Sequence, residues 1–238
     1  MNLSHRPRLW LPPKSAFAGY RSPSEVIVVA VRWYLRYNLC YRDIEELLVE
    51  RGIEVDHVTV YRWVQRFAPP LADAARFHRH APGDRWFVDE TYVKVNGVWG
   101  YVYRVIDQYG QVIDVVSTRR DADAARRFFR RAIATLKVKP TEVVTDAAAV
   151  YRAVLDELVP SAWHHVEQYA NNPIEADHGR LKHRLRAMRG LRTDTTAQTV
   201  IVGHAFMQNL RRGHYELGLD VPSAKRVAAA FTELAQAI

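Results

Sequence analysis

Arg85-Trp86-Phe87-Val88-Asp89-Glu90-Thr91-Tyr92-Val93-Lys94-Val95, followed by Asn96-Gly97 and then residues 98–106, is the stretch whose reading decides the fold. Its first eleven residues are dense in β-branched and aromatic side chains, which suit a pleated, half-buried surface. Asn-Gly then marks a two-residue hairpin, because both central residues of a type I′ turn need positive φ. Residues 98–106 follow as the partner strand. Asp107-Gln108-Tyr109-Gly110 supplies a second turn, and residues 111–117 a third strand. Further out, Asp121 or Asp123 begins a helix through Leu136, with Ala125, Phe128, Phe129 and Ile133 on its apolar side. Residues 141–145 read as a short apolar strand ending in Asp146, residues 150–158 as a helix and residues 163–166 as a weak strand. A helix-like run begins near Asn171, and a last helix spans 195–212. Three antiparallel strands, a helix, a fourth strand and further helices suit an α/β fold, a ribonuclease-H-like mixed sheet with flanking helices over residues 85–215.

Upstream, residues 1–23 read as a flexible basic arm broken by Pro7, Pro12, Pro13 and Pro23. Residues 24–70 read as all-helical. Ser24 is expected to cap the first helix, a second follows Asn38, Gly52 closes a turn, and Asp56 caps a third helix that Pro69-Pro70 ends. In that third helix Val60, Val64 and Phe67 face inward, while Thr59, Arg62 and Arg66 fall on another face. A tight glycine turn followed by a helix with a Thr/Arg face describes a helix-turn-helix domain that would contact DNA through Thr59, Arg62 and Arg66. A small helical bundle used for protein contacts fits the same pattern. Residues 71–84 form a polar linker, and residues 216–238 a C-terminal tail or helix.

The 238 residues carry a formal net charge of +8, a balance that favours a polyanionic partner such as nucleic acid, or else a basic enzyme without one. Cys40 is the single cysteine, so neither an internal disulfide nor a cysteine-based zinc site can form. With no apolar run of roughly 18 residues and no signal-peptide core, a cytoplasmic location is expected.

Three acids carry the chemistry. Asp89 sits within an apolar strand, where an unpartnered carboxylate is costly, so a partner or a metal is expected there. Its neighbour Glu90 points to the opposite face by the strand period and is expected to be solvated. Asp146 follows the fourth strand and could equally cap the next helix; Glu175 opens a later helix and could equally serve that helix's dipole. If the first and fourth strands are neighbours, the two aspartates meet at one end of the sheet, and a helix crossing there presents Glu175. Mg²⁺ (or Mn²⁺) takes oxygen ligands of this kind. The stretch from Glu175 through Arg192 holds six Lys/Arg, and helical spacing puts Glu175, His178, Gly179, Lys182 and Arg186 on one face, an acid in line with cations suited to phosphates. Asp177 is about 200° away and is set aside. Asp107 and Asp114 read as turn or surface residues, and His164, His165 and His178 as hydrogen-bonding or DNA-facing groups.

With these acids in this order, the chain resembles the DDE transposases of bacterial insertion sequences, most of all the sixth insertion-sequence family. The resemblance is carried by residues 55–67, 89–95 and 101–107, by Thr145-Asp146, Asn171-Asn172 and residues 174–178, and by Met188-Arg189-Gly190-Leu191. It implies an end-reading helix-turn-helix, a ribonuclease-H-like catalytic domain and Mg²⁺-dependent strand cleavage and transfer forming cointegrates. It also implies a dimeric or larger assembly on double-stranded DNA, both terminal inverted repeats and target, at the nucleoid. By position Asp89, Asp146 and Glu175 match the catalytic, metal-holding triad, and Lys182 matches the basic DNA-contacting position; Arg186, on the same helical face one turn on, is expected to join it in binding DNA. Ala147 and Ala149 stand where many relatives have Lys and Pro, which motivates a second reading, a catalytically impaired DNA-binding regulator derived from such an enzyme. A ribonuclease-H-like nuclease without strand transfer is a third.

Overall fold

The computed structural model describes residues 15–118, 121–146, 148–166, 169–186, 188 and 190–238, without the side chains of 114–118. The arm up to residue 14, the side chain of Asp114, and Ala147, Ala187 and Arg189 lie outside the described residues.

Five strands form one sheet in the order β3-β2-β1-β4-β5: β1 (Arg85–Val95), β2 (Val98–Asp107), β3 (Val112–Thr118), β4 (Glu142–Val144) and β5 (Trp163–His165). β1 pairs antiparallel with β2 through the expected hairpin, where Asn96 and Gly97 have φ of 48° and 81°. β4 runs parallel to both β1 and β5. Strand alternation divides the core. Trp86, Val88, Tyr103 and Val105 face α4 (Ala122–Leu136) and α5 (Ala149–Leu158), where they bury Phe128, Phe129 and Tyr151. Phe87, Val93, Val102 and Ile106 face the other way, toward α6 (Asn172–Arg186) and α7 (Asp194–Arg212). Three antiparallel strands extended by two short parallel ones, with helices on both faces, make the ribonuclease-H-like mixed sheet that the sequence pattern predicted. Among the described residues no helix is long and apolar enough to cross a membrane.

The helical block comprises α1 (Ser24–Arg36), α2 (Tyr41–Val49) and α3 (His57–Ala75), joined at the far end of the chain by α8 (Ser223–Gln236). Asp56 caps α3 as expected, accepting from the amides of Val58 and Thr59, and Gly52 takes its left-handed turn at φ 71°. Two boundaries differ from expectation. Ser24 does not cap α1; Pro23, extended at ψ 148°, is the cap residue and Ser24 is already helical. The start of α2 is set at Cys40, whose amide donates to the Asp43 carboxylate at 2.6 Å, rather than just after Asn38.

Pro69-Pro70 also fails to end α3, which runs on to Ala75. An internal proline costs about 3 kcal/mol through its missing N–H and its clash with the preceding turn. Leu71, Ala72 and Ala75 continue the buried stripe of Val60, Val64 and Phe67. Packing of these residues into the common core carries the helix past the proline pair.

Candidate active site

Asp89 lies on β1, on the face that looks toward α6. Phe87 pairs with Val144 across the parallel β1/β4 ladder, so continuing that register by two residues sets Asp89 level with Asp146, just past β4. The amide of Thr145 still donates to the Thr145-facing carbonyl of His165 at 3.1 Å, which keeps this segment beside β5. Thr145 Oγ1 donates to the Asp146 carbonyl at 2.6 Å and lies 2.8 Å from His164 Nε2, while the Asp146 carboxylate accepts from the amide of Ala148 at 3.1 Å. The Asp89 carboxylate accepts from the amide of Glu90 at 2.8 Å and stands 3.5 Å from His178 Nδ1.

Glu175 sits in the first turn of α6 and is exposed, with no hydrogen bond or ion pair on its carboxylate among the described residues. The helix is fastened to β1 next to Asp89: the side-chain amide of Asn171, just before α6, donates to the Val88 carbonyl at 3.0 Å. The buried side of α6 is Ile174, Asp177, His178, Leu181 and Arg184. Glu175, Gly179, Lys182 and Arg186 stay exposed on the shared face, and His178, expected among them, turns instead to the sheet. Lys182 lies over the ring of Tyr92, 5.0 Å from its centroid, three residues beyond Asp89 along β1. Among the described residues no group of three or more His, Cys, Asp or Glu side chains stands close enough to hold a metal ion. The sheet therefore brings Asp89, on β1, beside the segment after β4 that carries Asp146, with α6 alongside, while the side chain of Glu175 remains turned to solvent.

Two other acids depart from expectation. Glu90 does point to the opposite face, but there it accepts a hydrogen bond from the Tyr151 hydroxyl rather than being solvated. Burial, and then the Glu90 charge, push the Tyr151 phenol up, so it stays a donor. Asp107 holds its turn, accepting from the amides of Gly83, Tyr109 and Gln111, yet it is buried rather than on the surface.

Asp177, set aside by spacing, is fully buried and joins a charged network directly behind Asp89. Arg104, the cross-strand partner of Asp89 on β2, is also fully buried and donates to Asp177 at 2.5 Å. Arg212 donates to the other Asp177 oxygen at 2.6 Å, and His204 Nδ1 lies 3.5 Å from Arg104. Burial alone would push the Asp177 carboxyl up, but Arg104 and Arg212 outweigh it and hold the carboxyl below the usual range. Burial, reinforced by the Arg104 charge, pushes His204 down to about 3, so it is neutral. This network ties α6, the Glu175 helix, to β2 and α7. Its sequence signal was Arg104 itself, a cation amid Tyr101, Val102, Tyr103, Val105 and Ile106 that could be buried only with a partner.

A ribonuclease-H-like sheet with acids on β1, after β4 and on α6 is the layout of a polynucleotidyl transferase. The DDE domain model DDE_Tnp_IS240 matches residues 83–214. The transposase for insertion sequence-like element IS431mec of Staphylococcus aureus strain N315 is 39% identical over 175 residues, covering 71% of this chain and 78% of that protein. The transposase for insertion sequence element IS257 in transposon Tn4003, also from Staphylococcus aureus, matches with the same identity and coverage. Among solved structures, the HTLV-2 integrase catalytic core domain in complex with magnesium matches with a TM-score of 0.43 at 18% identity, over 63% of this chain and 97% of that one. The chain belongs to the DDE transposases of insertion sequences.

Proposed function

We propose that Asp89, Asp146 and Glu175 form the catalytic and metal-holding triad of this transposase, and that it nicks insertion-sequence ends and joins them to target DNA. The observation that carries this reading is the pairing of β1 with β4, which sets Asp89 level with Asp146, while Asn171 fastens the Glu175 helix to the residue before Asp89. Three carboxylates are an all-oxygen donor set of the kind Mg²⁺ or Mn²⁺ accepts, and the unrestrained Glu175 side chain is able to turn inward to complete it. A divalent cation bound there supplies Lewis-acid activation of the attacking oxygen and charge neutralisation on the leaving one.

The chain's own residues then do the rest. Asn171 and the Arg104–Asp177 pair hold α6 against the sheet, and His178 backs Asp89. Lys182 and Arg186, exposed beside Glu175, bind phosphates of the end being processed. In the first reaction a water oxygen bonds to the scissile phosphorus and the bond to the 3′ oxygen breaks, releasing a 3′-OH. That oxygen then attacks a target phosphorus and displaces the target's own 3′ oxygen. No covalent enzyme intermediate is involved. Thr59, Arg62 and Arg66 on α3 contact the terminal inverted repeats, with the Thr59 hydroxyl oriented by Asp56 at 2.9 Å. Two ends require at least a homodimer on DNA, and joining them to target leads to cointegrates.

The test is Asp89→Asn in the purified protein with Mg²⁺ and DNA carrying the repeats that flank the gene. Cleavage and joining should disappear while end binding persists; a variant that still cleaves and joins ends removes Asp89 from the site.

A further inference from the structure

A second surface, away from the carboxylates, is built for anions. A groove runs from the C-terminal end of α1, past the exposed side of α6 and the end of α7, to the first turn of α8. Its two halves meet at Arg36, Tyr37 and Arg211, and together they carry Arg32, Arg36, Arg180, Arg211 and Arg226 besides the buried Arg184. Neither half is lined by any Asp or Glu. Arg32, Arg36, Arg211 and Arg226 have no acidic partner among the described residues. Arg180 reaches only Asp177, at 3.9 Å, whose charge Arg104 and Arg212 already take at 2.5 and 2.6 Å.

Four further observations favour an anionic ligand. Burial lowers the Arg211 guanidinium, and Arg36, Arg180 and Arg212 lower it further, as expected where positive charge is not neutralised. Arg226 Nε is buried without a hydrogen-bond partner. The first turn of α8 has no side-chain cap, and Ser223 and Ala224 of that turn line the groove. At Gly179 on α6 an added Cβ would meet nothing within 4 Å, so the groove wall is open there.

We propose that this arginine groove binds the phosphate backbone of duplex DNA without reading its sequence. The inference rests on the DNA-joining reading above and adds to it a contact surface separate from both α3 and the carboxylates. On α6, Ala176, Arg180 and His183 lie roughly 100° around the helix from Glu175, Lys182 and Arg186, so one helix, about 10 Å across, separates the groove from the triad. The groove and the triad therefore lie on adjacent sides of one helix, so one duplex running over α6 can engage both. Several arginines with no acid among the lining residues suit repeated phosphates.

The test measures binding of the full chain to two duplexes, one carrying the element's terminal repeat and one of unrelated sequence, across a series of salt concentrations. In Arg36→Ala/Arg211→Ala the slope of log Kobs against log salt should become shallower by about 2, equally on both duplexes, because each lost phosphate contact removes about 0.9. Arg36→Lys/Arg211→Lys should restore most of the slope, and matching circular dichroism should show both variants folded. An unchanged slope in the folded alanine variant, with the unmodified protein binding DNA normally, overturns the groove and points to another polyanion such as an acidic protein segment. A loss confined to the terminal-repeat duplex also overturns it. Failure of the unmodified protein to bind any duplex would instead sink the DNA-joining reading itself, and the groove with it.

Discussion

At the residue scale, the pairing of Asp177 with Arg104 has the largest energetic consequence. Both are at 0% exposure, so without Asp177 the Arg104 guanidinium would be a buried, uncompensated charge. Asp177→Ala should therefore cost about 3–5 kcal/mol in denaturant unfolding, whereas Arg104→Met/Asp177→Leu should cost much less, because it removes both charges. A double variant as unstable as the single one would show that the pair contributes through geometry rather than charge. His204 adds a pH dependence. Its folded pKa of about 3 lies below the ordinary value of about 6.5, so below pH 6.5 the unfolded chain takes up a proton that the folded chain refuses. Stability should fall with acidification at up to about 1.4 kcal/mol per pH unit from this group, fully present above pH 6.5. Asp177, also depressed, contributes fully above about pH 3.9 and loses its contribution only as pH drops further. Unfolding curves between pH 7 and 4.5 should therefore be flatter for His204→Gln than for the parent; equal slopes would assign the acid sensitivity elsewhere.

At the element scale, α3 shows both the reach and the limit of local signals. Its start at Asp56 was legible because a cap acts within three residues, and β1 was legible from Arg85 to Val95 because alternation and an Asn-Gly turn are local too. Its end was not, because Leu71, Ala72 and Ala75 are stabilised by α7, α8 and the rest of a core that closes only in three dimensions. Arg62, in the middle of α3, is exposed, so Arg62→Ala should weaken binding to repeat-bearing DNA while shifting unfolding by no more than about 0.5 kcal/mol. Unaltered affinity at moderate salt would take this face of α3 off the DNA. In α6, spacing correctly grouped Glu175, Lys182 and Arg186 but not His178, since the same angle on a helix becomes solvent or interior according to where the sheet lies.

At the scale of the whole molecule, the helical block and the sheet share a core. One continuous apolar cluster contains Val31, Leu48 and Phe67 together with Phe87, Val102, Ile201 and Phe231. The full chain should then unfold in one calorimetric transition, with equal calorimetric and van't Hoff enthalpies, and two resolved transitions would mean that the blocks fold separately. The succession of strands along the chain, the Asn96-Gly97 hairpin and the Asp56 cap were written in the sequence, because each depends on neighbours a few residues apart. The parallel contact of β1 with β4, the burial of Asp177 against Arg104 across 73 residues and the gathering of arginines from α1, α6, α7 and α8 were decided only in three dimensions. Such contacts depend on which distant surfaces meet when apolar faces leave water, and no local pattern records that choice.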